Sequence, residues 1–223
     1  MIGFFERAKG VLLDFDGPVA DLFPSGYTGR IGDAVREPLV RAGVELPEPV
    51  ATSVDHLVVL RFAAAQARDQ LEEAERIAVE AEVEAARTAP VTAGAAEFLD
   101  ACTTARLPIT VVSNNAAPAI DLFLQRHGFV AKVGEVVGRP FARPESMKPS
   151  PRMIEHLAVD PAGWVMIGDS ASDVEFARRI GAGAAIGYAK TPRHHDRLSA
   201  ADVVTESMAE LADAVLQVAR RRG

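Results

Sequence analysis

The sequence predicts an α/β fold: a parallel sheet with helices on both faces, plus a helical segment inserted after the first strand. Three observations carry this. From residue 89 onward, short apolar runs alternate with helical patterns, the rhythm of βαβ units. Three of the apolar runs end in polar groups, Asp14/Asp16, Ser113/Asn114 and Gly168/Asp169. Residues 18–88 break the alternation and read as helix and loop.

The elements follow in order. Gly10–Leu13 runs straight into Asp14, as a strand buried on both faces does. Residues 17–29 hold Pro18, Pro24, Gly26 and Gly29 and predict a loop. Arg30 to Ala42 predicts a helix with Ile31, Val35, Leu39 and Val40 on one face and Gly43 as its stop. The stretch "ELPEPVATS" is a turn-rich connection. Val54 to Ala86 is free of Gly and Pro and rich in Ala, Glu, Arg and Leu. It predicts one long helix, or two with a bend. Its acids Glu72, Glu73, Glu75, Glu80, Glu82 and Glu84 predict a solvated outer face.

Beyond Pro90 the alternation begins. Thr92–Ala105 predicts a helix, "LPITVVSNN" a strand with a polar end, and Ala116–His127 a helix stopped by Gly128. "VAKVGEVVG" reads as a strand, Ser150–Leu157 as a helix opened by Pro151, and "WVMIGDS" as a strand. Ser172–Ile180 is a helix stopped by Gly181. "GAAIGY" and "ADVVTE" are strands, and Ser207–Arg222 is the last helix. The result is a Rossmann-like sheet domain built from residues 1–17 and 89–223. Residues 18–88 form a helical cap domain over one edge. Ligands of such sheets sit outside the carboxyl ends of the strands.

Composition narrows the function classes. The chain has 223 residues, 48% hydrophobic and 25% charged, with net charge −7. There is no basic field for nucleic acid. The Arg220–Arg222 run reads as a solvated helix end. The single cysteine, Cys102, excludes an internal disulfide and reads as a small core residue. No apolar run is long enough for a membrane span, and the N-terminus lacks the pattern of a secretory signal. We expect a soluble cytoplasmic protein, monomer or homodimer.

Asp14, Asp16, Asp169 and Asp173 should converge at the strand ends. Crowded carboxylates raise one another's pKa. A hard cation or a nearby lysine relieves this, and Lys148 in "RPESMKPSP" can reach the same edge. Ser113 can donate to a phosphate oxygen, and main-chain N–H groups near Asn114 and Asn115 at a helix start add donors. A nucleophilic carboxylate, a proton-transferring carboxylate and fixed positive charge are what phosphoryl transfer needs.

These stretches resemble the four motifs of the haloacid dehalogenase-like hydrolase superfamily, in the branch of phosphoglycolate-phosphatase-like enzymes and β-phosphoglucomutase. "DFDGPVAD" resembles the first, "VVSNN" the second, Lys148 in "MKPSP" the third, and "VMIGDSASD" the fourth, in the family order. The resemblance implies that Asp14 is the nucleophile forming an aspartyl phosphate. Asp16 is the general acid/base, with its main-chain carbonyl on the metal. Ser113, Asn114 and Lys148 bind the phosphoryl group. Asp14, Asp16, Asp169 and Asp173 form the Mg²⁺ site. The dehalogenase branch lacks the carboxylate at Asp16, so the expected substrate is a small phosphorylated metabolite.

Two departures stand out. Pro18 replaces the usual Thr of the first motif and removes a backbone N–H. No His precedes His56, which counts against a mutase. The leading expectation is a Mg²⁺-dependent phosphatase for a small phosphomonoester. A phosphomutase or phosphotransferase is one alternative, and a catalytically quiet binding protein on the same fold is another. Arg30, Arg36, Arg61 and Arg68 are candidates to meet the leaving group, though each more simply reads as a solvated helix residue. His194 and His195 read as surface loop, and Trp164 as core.

Overall fold

The computed structural model describes residues 1–23, 27–191 and 195–222. Its centre is a six-stranded sheet: β1 Gly10–Leu13, β2 Ile109–Val112, β3 Glu135–Val137, β4 Trp164–Gly168, β5 Ala184–Tyr188 and β6 Val203–Thr205. The order is β3-β2-β1-β4-β5-β6, and every pairing is parallel. The chain moves outward on one side of β1 and then crosses to β4. The crevice between the carboxyl ends of β1 and β4 is therefore the switch point of the sheet.

Side-chain alternation sends each strand to two cores. Val11 and Leu13 of β1 join one cluster with Val111, Ile167 and Ile186. The helices covering that face are α1 Ile2–Arg7, α6 Ala95–Thr104, α7 Ala117–Arg126 and α9 Met208–Arg222. Leu12 points the other way, with Val112, Met166 and Phe176 of α8 Ala171–Ile180. Cys102 lies fully buried in the first cluster, and burial pushes its thiol up to about 12, so it packs as an apolar side chain. Trp164 is half-buried and packs against the second cluster.

Between β1 and α6 the described residues form four helices: α2 Tyr27–Arg41, α3 Glu48–Ala51, α4 His56–Gln66 and α5 Arg68–Ala86. They share a cluster of their own, including Ile31, Val35, Leu39, Leu60 and Leu71. The long helical stretch breaks into α4 and α5 at Ala67, whose φ −144 and ψ 50 are non-helical. The far end of α5 leaves this cluster: Ala85 and Ala86 pack into the first sheet core.

Several local expectations differ from the structure. Val40 is 60% exposed, because it lies one residue round the helix from the Ile31–Val35–Leu39 row. "VAKVGEVVG" splits into a 3₁₀ turn at Val130–Lys132 and the short β3. Ser150–Leu157 holds only a 3₁₀ turn, Pro151–Ile154, with Met153 and Ile154 buried against the sheet. Helix α2 begins at Tyr27, inside the expected loop. The largest difference concerns α5, where Glu75 and Glu82 are buried, 1% and 0% exposed. The two are seven residues apart and share a face with Leu71, Ala78 and Ala85, which turns inward.

Candidate active site

Asp14 follows β1 directly, and the register Leu13↔Ile167 brings it level with the end of β4, where Asp169 follows Gly168. Ser113 follows β2. Lys148 enters from the loop before β4, with its side chain 1% exposed. The three polar strand ends and the lysine therefore meet at the switch point. They line a cavity of about 320 Å³, together with Phe23, His56 and Leu57 from the helical side.

Lys148 organises the acids. Its Nζ lies 2.9 Å from Asp14 Oδ1 and 2.5 Å from Asp173 Oδ1, and it donates to the Val112 carbonyl at 2.7 Å. Burial works against the ammonium charge, but Asp14 and Asp173 outweigh it and hold the pKa above its ordinary value. Asp173 is also the acid of a capping box on α8: its Oδ2 accepts from the Ser170 N–H at 3.0 Å and the Ser170 hydroxyl at 2.6 Å. Both oxygens of Asp173 thus have protein partners.

One lysine does not balance this set. Asp14 is pushed up to about 7, first by burial and next by Asp173, against the pull of Lys148. Asp169 is held well above the usual carboxylate range by burial, then by Asp14, Asp173 and Asp16. Among the described residues, no hydrogen bond or ion pair is made by the Asp169 carboxylate. Carboxylate oxygens of Asp14, Asp169 and Asp173 lie within 4.8 Å of one another. Excess buried negative charge, all-oxygen donors and an unpartnered carboxylate fit a hard divalent cation.

Asp16 stands apart from that trio. Its Oδ1 accepts from the Leu22 N–H at 2.9 Å and lies 3.8 Å from Lys190 Nζ. Burial raises its pKa, only partly offset by Lys190 and by the Leu22 N–H. Gly17, at φ +108, carries the chain away from this pair. A Cβ at this position would come within 2.5 Å of the Asp169 carboxylate, so only glycine fits. The turn through buried Pro18 is closed by Gly17 N–H to the Ala20 carbonyl (2.8 Å) and Val19 N–H to the Phe15 carbonyl (3.0 Å). The proline needs no N–H in that pattern. Thr92 ties the turn down, its hydroxyl donating to the Gly17 carbonyl at 2.6 Å.

Asn114 lines the cavity but is occupied with Lys148. Its Oδ1 accepts from the Lys148 N–H at 2.8 Å, and its Nδ2 donates to the Lys148 carbonyl at 3.2 Å. Ser113 donates to Asn115 Oδ1 at 3.0 Å. Of the four candidate arginines, none lines the cavity. Arg36 donates to the Val50 and Ser53 carbonyls within the helical segment, and Arg61 donates to the Lys148 carbonyl at 3.0 Å. Arg30 and Arg68 are exposed. His195 pairs with Glu206 on the surface, and His194 lies outside the described residues.

Sequence reasoning missed Lys190, whose Nζ lies 3.0 Å from Asp21 Oδ1 and faces Asp16. The signal was present, since Lys190 follows the end of β5 on the ligand edge of the sheet.

A family model for haloacid dehalogenase-like hydrolases matches residues 8–181. No curated protein matches the chain. Among solved structures, the chain resembles CbbY from Rhodobacter sphaeroides in complex with phosphate, at 19% identity and TM-score 0.65. That match covers 92% of this chain and 96% of the other. It also resembles a predicted phosphoglycolate phosphatase from Haemophilus somnus, at 16% identity and TM-score 0.62, covering 93% and 97%. A HAD-superfamily hydrolase from Geobacter sulfurreducens matches at 22% identity and TM-score 0.57, covering 94% and 97%. These likenesses establish a shared fold. No helix among the described residues is long and apolar enough to cross a membrane. With the family model spanning more than half of its length, the chain belongs to the haloacid dehalogenase-like hydrolases.

Proposed function

We propose that this protein is a Mg²⁺-dependent phosphatase that hydrolyses a small phosphomonoester through an aspartyl phosphate on Asp14. The observation that carries the reading is the unbalanced acid set at the switch point. Asp14 sits 2.9 Å from a buried lysine, beside an unpartnered Asp169. The bound phosphate described for the R. sphaeroides structure supports the same chemistry.

In this reading, Lys148 and Ser113 hold the phosphoryl oxygens, and Asn114 steadies the main chain of Lys148. A carboxylate oxygen of Asp14 attacks phosphorus, and the ester P–O bond breaks. The departing alkoxide takes its proton from Asp16, whose raised pKa suits an acid. Asp16 then takes a proton from a water that attacks the same phosphorus. The P–O bond to Asp14 breaks, releasing phosphate and restoring the carboxylate. Asp14, Asp169 and the carbonyl of Asp16 would hold Mg²⁺, with Asp173 beside it anchoring Lys148. The ion supplies neutralisation of the carboxylates and of the charge on the transferring group. Residues 18–88 act as a cap that closes the site from water.

Phosphate release from a panel of small phosphate esters, with Mg²⁺, tests this. Asp14→Asn is expected to lower the rate by roughly 10⁴-fold or more, and chelation to abolish it. Activity that survives both treatments would overturn the reading.

A further inference from the structure

Adjoining the cavity at His56 lies a second buried charge cluster. Arg139 follows β3, and its side chain is fully buried. Its Nε donates to Glu75 Oε1 at 2.6 Å and its Nη1 to Glu82 Oε1 at 2.7 Å. Glu82 Oε1 also lies 2.8 Å from His56 Nε2. Both glutamates come from α5, so this cluster joins the helical segment to the sheet.

The cluster grips the loop after β2. Arg139 Nη1 donates to the Asn114 carbonyl at 2.7 Å, and the Arg139 main-chain N–H donates to the Asn115 carbonyl at 2.7 Å. Glu82 Oε2 accepts the Ala116 N–H at 2.7 Å. Three consecutive residues of the loop that carries Ser113 are thus held by Arg139 or Glu82. Gly138 permits the approach, since a Cβ there would come within 2.4 Å of the Ala117 nitrogen. Among the described residues, two buried atoms of the cluster, Glu75 Oε2 and Arg139 Nη2, have no hydrogen-bond partner. A chain seeking stability alone would have an apolar contact here at no such cost. What the charges add is a directed hold on three main-chain groups.

We infer that Glu82 and Arg139 are positioning residues of the active site, which set the Ser113–Ala116 loop from the side of the helical segment. The inference rests on the phosphatase reading for its kinetic consequence, but not for its geometry. Glu82 fixes the Ala116 amide, Arg139 fixes the two carbonyls before it, and Ser113 and Asn114 are thereby presented to the cavity and to Lys148. A shift of the loop moves the Ser113 hydroxyl and slackens the Asn114 brace on Lys148 together.

The test uses the full chain as wild type, Glu82→Gln and Arg139→Lys, with cooperative melting as the check on folding. Folded Glu82→Gln is expected to lose about 100-fold in kcat and to bind inorganic phosphate, as an inhibitor, about tenfold more weakly. Hydrogen exchange of the Ala116 amide should accelerate in the same variant. Arg139→Lys keeps the charge without the fork, so it should retain more activity than Glu82→Gln; it carries the test alone should Glu82→Gln fail to fold. Unchanged kcat, phosphate inhibition and Ala116 exchange in folded variants would overturn the inference. A wild type with no phosphatase activity would instead defeat the proposed function, and the exchange measurement would still decide whether Glu82 holds the loop.

Discussion

Two clusters of buried acids adjoin the Ser113–Ala116 loop, and they are built on opposite principles. In the first, Asp14, Asp16, Asp169 and Asp173 share Lys148 and the half-buried Lys190. Asp14 and Asp169 are both held above the usual carboxylate range, chiefly by burial. In the second, Arg139 and His56 converge on Glu82. Burial pushes that carboxyl up, but Arg139 and His56 outweigh it, and it lies below its ordinary value. Glu75, further along the same guanidinium, is raised because burial outweighs Arg139. The first cluster is left short of positive charge, and the second gathers its charge onto one carboxylate. An acid cluster that the fold leaves uncompensated is poised to take a cation. One that is compensated holds the backbone.

Substitutions should separate the two. Glu82→Ala leaves Arg139 buried with a lost partner, and we expect a loss of about 3–5 kcal/mol in urea unfolding. A loss near zero would place Glu82 among residues of no structural weight. Asp169→Asn should do the reverse in the metal-free protein: removing one repelling charge raises stability by on the order of 1 kcal/mol while activity disappears. A destabilised Asp169→Asn would mean that the site is already balanced without a cation.

The pH dependence sharpens the contrast. The Asp14 carboxyl sits at about 7 in the folded chain against 3.8 ordinarily. The folded state therefore holds a proton that the unfolded chain releases. This contribution to stability is full below the ordinary value and is lost as pH rises through 7. In the proposed reading, Mg²⁺ would compete with that proton and compensate the buried charge. Millimolar MgCl₂ should raise the melting temperature more at about pH 8 than at about pH 5. Equal shifts at both would break the link between the metal and the acids. The smallest effect belongs to Lys190→Gln, which touches Asp16 and Asp21 from a partly open position. Stability should change by less than about 1 kcal/mol, and kcat, measured at saturating substrate, should fall without vanishing.

The meeting of these residues at one cavity was legible in the sequence because each part of the candidate site is local. Asp14, Ser113 and Asp169 each end an apolar run, and a parallel sheet brings the ends of such runs to one side. Lys148 was legible through its motif. The second cluster was not. Glu75 and Glu82 read as part of a solvated acidic face, since a helix rich in Ala and Glu does not declare which side meets a neighbour. Their seven-residue spacing, in step with Leu71, Ala78 and Ala85, was the available signal. Arg139 sat in a loop with no motif around it. Lys190 followed a strand, Ala184–Tyr188, that ends in no acid and has no motif around it.

The sequence by itself determined the α/β alternation, the ligand edge and the residues that meet there, because hydrophobic period and strand-end chemistry act over a few residues. Only the tertiary structure decided which acids are balanced. Charge compensation depends on what packs within a few ångströms, and those partners lie 57 and 64 residues apart in the Arg139 cluster. Asp14 and Lys148 are separated along the chain by α2–α7, β2 and β3, yet folding places them in contact. The physical reason is that periodicity is a property of neighbours in sequence, whereas the cost of a buried charge is set by neighbours in space.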